Sequence, residues 1–134
     1  ELNQSAIILT PKNTNNKLND GLLTSTEIAS KKINSNLVIL SACNTGVNEN
    51  IGTINSLAHA FFISGVRSLL VSNWSIETES TVYLTTKAIK LYKQKDMNFS
   101  EALRLSMMEL LNKTQYNHPF YWASFNYIGI NKYN

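Results

Sequence analysis

The sequence predicts an α/β fold, a sheet carrying helices on its faces, and three observations predict it. Residues 37–40 (Leu-Val-Ile-Leu) and 68–72 (Ser-Leu-Leu-Val-Ser) are apolar runs of strand length without polar alternation, the pattern of strands covered on both faces of a parallel sheet. Between them Ile54, Leu57, Ala58, Phe61 and Phe62 recur at three- and four-residue spacing, so strand, helix and strand read as a right-handed crossover unit. The chain has 134 residues, 43% hydrophobic and 16% charged, which suits one globular domain or a piece of one.

Taken in order, residues 5–10 are a short β-branched run stopped by Pro11, a strand leading into a turn. Residues 12–20 are rich in Asn and Lys and read as an exposed loop closed by Asp20-Gly21. Residues 22–32 are expected to form a short helix, with Thr24 or Ser25 capping it ahead of Glu27. After the strand at 37–40, residues 41–52 turn to Ser, Asn, Thr and Gly, a polar loop that carries Cys43. The helix that follows should end at Gly65. A further helix is expected over 77–93, with Thr78 or Ser75 as cap and Val82, Ala88, Ile89 and Tyr92 on its inner side. The next spans about 100–112, with Ala102, Leu103, Leu105, Met107, Leu110 and Leu111 inward and Asn98 or Ser100 as cap. His118-Pro119 opens the last element, and residues 121–130 read as a closing strand.

Composition excludes several classes of function. The formal charge is +3, with Lys31-Lys32 the sole adjacent basic pair, whereas a nucleic-acid footprint needs a clustered basic face. One cysteine excludes an internal disulfide, and His59 and His118 stand at no metal-ligand spacing. No metal or cofactor is expected. No apolar run approaches the ~18 residues of a membrane span, and a cytoplasmic protein is expected.

Chemistry in an open α/β sheet collects beyond the carboxyl ends of the strands, and Cys43 occupies such a place. Ser41 precedes it and Asn44-Thr45-Gly46 follow. A small apolar residue at a strand end is the competing reading. A phosphatase loop needs Arg six positions on, where Glu49 stands, and a nucleophile elbow needs glycines where Ser41 and Thr45 stand. Both fail, and no phosphate-cradling glycine string is present.

The string Leu37-Val38-Ile39-Leu40-Ser41-Ala42-Cys43-Asn44-Thr45-Gly46 resembles the central motif of the CHAT family of caspase-like cysteine peptidases. The resemblance continues in order through Asp20-Gly21-Leu22-Leu23-Thr24 with Glu27-Ile28, Ala60-Phe61-Phe62, Gly65-Val66-Arg67-Ser68, Ser72-Asn73-Trp74, Ala102-Leu103-Arg104 and His118-Pro119-Phe120-Tyr121-Trp122-Ala123-Ser124-Phe125. It implies a caspase-like three-layer sandwich, a mostly parallel sheet with flanking helices, of which residues 1–134 are the C-terminal part with the N-terminal strands missing. It implies peptide-bond hydrolysis with Cys43 as covalent nucleophile and its backbone N–H in the oxyanion hole. In the family the general-base His and the other oxyanion donor belong to an upstream His-Gly motif that these residues do not contain, so the chain by itself is expected to be inactive. His59 is expected to face solvent, and His118 to form a structural turn on Trp122.

The resemblance also places Glu77 beside the substrate cleft, where a carboxylate would pair with a basic P1 side chain, Arg or Lys. A first-turn acid favoured by the helix macrodipole is the competing reading. Ser72 and Asn73 would offer backbone to an extended substrate, with Trp74 also counted among the substrate-binding residues, although Asn73 replaces the family's usual apolar residue. The expected partners are a peptide or protein substrate and a regulatory protein, with neither nucleic acid nor membrane, and an exposed sheet edge through which the chain self-associates. Two further readings stand beside the peptidase: a non-catalytic CHAT-like interaction scaffold, and a small domain in which Cys43 merely packs. An unrelated enzyme pairing Cys43 with His59 comes last.

Overall fold

The structure, a computed structural model, describes residues 5–10, 20–41, 52–94 and 97–130. Its elements run β1 (Ala6–Ile8), β2 (Leu22–Thr24), α1 (Ser25–Ser30), β3 (Val38–Leu40), α2 (Gly52–Ile63), β4 (Ser68–Ser72), α3 (Thr78–Gln94), α4 (Phe99–Leu111) and β5 (Phe125–Gly129). Two 3-10 turns, Thr114–Tyr116 and Pro119–Tyr121, lead from α4 to β5. The fold is α/β with two small sheets.

Leu22 and Leu23 do not open a helix as expected, because they pair antiparallel with β1, Leu22 opposite Ile8 and Leu23 opposite Ile7. The helix begins only after Thr24, whose hydroxyl accepts from the Glu27 N–H at 3.2 Å while the Glu27 carboxylate accepts from the Thr24 N–H at 2.8 Å. That reciprocal capping box satisfies donors the first turn leaves open.

The other sheet has the order β3-β4-β5. β3 and β4 are parallel, with Leu40 opposite Val71, and α2 is the crossover between them. β5 is antiparallel to β4, with Phe125 opposite Ser72 and Gly129 opposite Ser68. Among the described residues the three-stranded sheet is therefore mixed and the two-stranded one antiparallel, where a mostly parallel sheet was expected. Two helices separate β4 from β5, and they are antiparallel: Tyr92 at the end of α3 meets Phe99 at the start of α4, ring centroids 5.6 Å apart. A single helix returns the chain for a parallel strand, whereas a pair returns it to the end where β4 finished, so β5 must run back along β4.

Side chains alternate across β4 and divide two cores. Leu69 and Val71 pack with Ile28 of α1 and Leu57, Ala58, Ala60 and Phe61 of α2. Leu70 packs with Leu84 and Ala88 of α3, Phe99, Leu103 and Leu110 of α4, and Phe125. β3 and the residue before it serve both, Val38 and Leu40 on one side and Leu37 and Ile39 on the other, but β3 is half-buried, since among the described residues it pairs along one edge only. Val82 and Leu111, expected inside, are 56% and 41% exposed. Ser80 and Ser106 take inward positions instead, each with its hydroxyl returned to a carbonyl of its own helix region.

Candidate functional site

The site expected from the sequence lies where β3 and β4 end side by side. With Leu40 opposite Val71, Ser41 and Ser72 leave the same edge of the sheet. Ser41 is exposed and leads toward Cys43, which lies outside the described residues. Helix α2 begins shortly after that loop and returns the chain to β4.

Register separates Ser72 from Asn73. The Ile130 N–H donates to the Arg67 carbonyl and the Asn73 N–H to the Ser124 carbonyl, at 3.2 and 2.8 Å. Odd-numbered residues of β4 thus turn their main chain toward β5, and even-numbered ones, Ser72 among them, turn toward β3 and the end from which residue 41 departs. Asn73 was expected to offer backbone to a substrate, but its N–H is committed to Ser124, and its side-chain Oδ1 lies 3.4 Å from Asn126 Nδ2. The Trp74 side chain is anchored too: its indole Nε1 donates to the Phe120 carbonyl at 3.1 Å. Both residues hold the segment after β4 against residues 120–126.

Glu77 is exposed and immediately precedes α3. Its carbonyl accepts from Ser80 Oγ at 3.0 Å and from the Thr81 N–H at 3.1 Å, so it initiates the helix. Glu79 in the same turn accepts from the Tyr116 hydroxyl at 2.8 Å. That hydrogen bond, burial, and the charges of Glu79 and Glu77 raise the Tyr116 phenol above its ordinary range, so it remains a donor, although a hydrogen bond with Gln115 acts the other way. Ser124, fully buried opposite Asn73, has a hydroxyl without a hydrogen-bond partner among the described residues.

The two histidines are placed apart in role. His59 is exposed on α2, as expected. His118 Nδ1 accepts from the Phe120 N–H at 3.2 Å, and Pro119 follows at the first position of the 3-10 turn. Trp122 Nε1 donates to the Asn117 carbonyl at 3.3 Å. His118 is thus a turn cap beside Trp122. Among the described residues no group of three His, Cys, Asp or Glu could hold a metal ion, and no helix is long and apolar enough to cross a membrane.

One family model, the CHAT domain, matches residues 1–130, a range that takes in all the elements described above. The chain belongs to the CHAT domain family. Searches among curated proteins and among solved structures found no match to it. Within the matched range, the segments that carry Cys43 and Ser72-Asn73-Trp74 follow the neighbouring carboxyl ends of β3 and β4. Sequence reasoning missed Tyr116, Glu79 and Ser124. Tyr116 reads in sequence only as one more aromatic, and nothing short of the tertiary contact links it to a residue 37 positions earlier.

Proposed function

We propose that this CHAT domain carries the nucleophilic part of a caspase-like cysteine endopeptidase that cleaves after a basic residue. The observation that carries the reading is the shared end of parallel β3 and β4, from which the Cys43 loop and the Ser72-to-Glu77 segment both depart. It suits a caspase-like layering of helices about the sheet, with a substrate backbone laid in the notch between those segments. Ser72 supplies main chain on that side.

In the proposed reaction the Cys43 thiolate attacks the scissile carbonyl, the Cys43 N–H helps to stabilise the oxyanion, and the amine leaves as an acyl-enzyme forms. Water then attacks the thioester, releasing the acid and restoring the thiol. The base that takes the thiol proton and returns it to the amine is a His outside residues 1–134. His118 uses Nδ1 as a turn cap, and His59 is an exposed residue of α2. Glu77 selects Arg or Lys at P1 by a charge-assisted hydrogen bond.

The test is hydrolysis by the full-length protein of peptides with Arg, Lys or norleucine at P1. Cleavage after Arg and Lys that Cys43→Ala abolishes, and that Glu77→Gln weakens at least about tenfold in kcat/KM, is the expected result. Cleavage that survives Cys43→Ala would remove Cys43 from the mechanism. An intact protein that cleaves none of them, with a Cys43 that peptide-directed labels do not reach, would favour an interaction scaffold.

A further inference from the structure

Three hydrogen bonds tie the chain leaving β4 to one short stretch, residues 116–124. Asn73 to Ser124 continues the β4–β5 pairing, and Trp74 to Phe120 pins the next residue. Both end on a main-chain carbonyl. The third, Tyr116 to Glu79 at 2.8 Å, joins two side chains.

The Tyr116 ring is buried and stands edge-on to Tyr121, with centroids 5.4 Å apart. Packing therefore aims the phenol, which has little torsional freedom of its own. Glu79 lies two positions after Glu77 on the turn that Ser80 and Thr81 close onto the Glu77 carbonyl. Holding Glu79 holds that turn, and with it the direction from which the exposed Glu77 side chain leaves the helix. Without the latch, the exposed side of the first turn of α3 that carries Glu79 would lose its side-chain tie to residue 116, although Ser80 stays buried on the inner side, and helix ends fray.

We propose that Tyr116 is a positioning residue for substrate selection: by latching Glu79 it fixes the direction in which Glu77 presents its carboxylate to a basic P1 side chain. The inference rests on the reading of Glu77 given above. It separates two acids of one turn by role, Glu79 serving as anchor and Glu77 as the group that meets substrate.

The test uses peptidyl chloromethyl ketones ending in Arg or in norleucine, with Cys43 labelling followed by mass spectrometry at pH ~9, where an ordinary thiol is largely thiolate without a base. Iodoacetamide, which has no P1 side chain, normalises each variant for thiol reactivity. The expected Arg-to-norleucine rate ratio falls about tenfold in Glu77→Gln and by a similar factor in Tyr116→Phe and Glu79→Ala. Glu79→Gln keeps an oxygen that accepts from the phenol and should retain the ratio. A wild-type ratio in Tyr116→Phe beside a lost one in Glu77→Gln overturns the latch and leaves Glu77 standing. A ratio unmoved in Glu77→Gln overturns the reading of Glu77 itself. Equal loss in Glu79→Gln and Glu79→Ala shows that the charge of Glu79 acts directly, which also overturns positioning. Unchanged iodoacetamide rates and circular dichroism in Tyr116→Phe exclude misfolding as the cause.

Discussion

Gly129 shows how a single residue sets the sheet. Its φ is +133°, a region that L side chains rarely enter, and an added Cβ would lie 2.5 Å from the Arg67 carbonyl oxygen and 2.6 Å from Ser68 Cα. Those neighbours are backbone and cannot rotate away. Gly129→Ala is therefore expected to destabilise the protein by about 2–4 kcal/mol, read as a lower midpoint in urea denaturation, and a midpoint within error of wild type would contradict the close approach. The closing strand was legible from its apolar and aromatic content, but this glycine was not, since an isolated Gly in a strand pattern does not say what backbone approaches it. Asn73 and Trp74 make the same point within the site. Their types and positions marked the segment, and only the structure showed that the Asn73 backbone N–H continues the β4–β5 register to Ser124 and that the Trp74 indole reaches Phe120.

Elements were legible where local physics decides them. The capping residue Thr24, its partner Glu27, the strand at β4 and the Gly65 stop after α2, where φ is +97°, all follow from short-range patterns. Boundaries failed where a long-range contact decides, as at Leu22 and Leu23, which pairing with β1 draws out of the helix. The capping box gives α1 a dependence on pH. Hydrogen bonds from the Thr24 backbone N–H and then its hydroxyl hold the Glu27 carboxyl below the usual glutamate range, with Lys31 adding a smaller push in the same direction against burial. A lowered folded-state value means that the stabilisation is present above the unfolded-state value, about 4.3, and is lost as pH falls through the folded one. Thr24→Ala is expected to cost about 1 kcal/mol at neutral pH, and Thr24→Ser to restore most of it. In urea titrations the gap between wild type and Thr24→Ala should narrow below pH ~4. A gap constant from pH 7 to pH 3 would mean that the Thr24 hydroxyl acts without Glu27.

At the scale of the molecule, the two cores lie on opposite faces of a thin sheet, and β4 is its middle strand. All five β4 residues are buried, Leu69 and Val71 on the α1–α2 side and Leu70 on the α3–α4 side. Neither core can lose its helices without exposing one face of the strand the other depends on, so the faces should unfold together. The tryptophans make this measurable. Trp122 packs on the α3–α4 core, and Trp74 bonds to Phe120 in the adjoining turn. Leu57, 4% exposed, belongs to the opposite core. Leu57→Ala should cost about 2–5 kcal/mol through lost burial and the cavity it leaves. It should also lower the tryptophan-fluorescence midpoint as much as the far-ultraviolet circular dichroism midpoint, although neither tryptophan lies in its core. A fluorescence transition left at the wild-type midpoint while helix signal is lost earlier would show that the α3–α4 face stands alone, and then the neighbouring ends of β3 and β4 would depend on two separable halves.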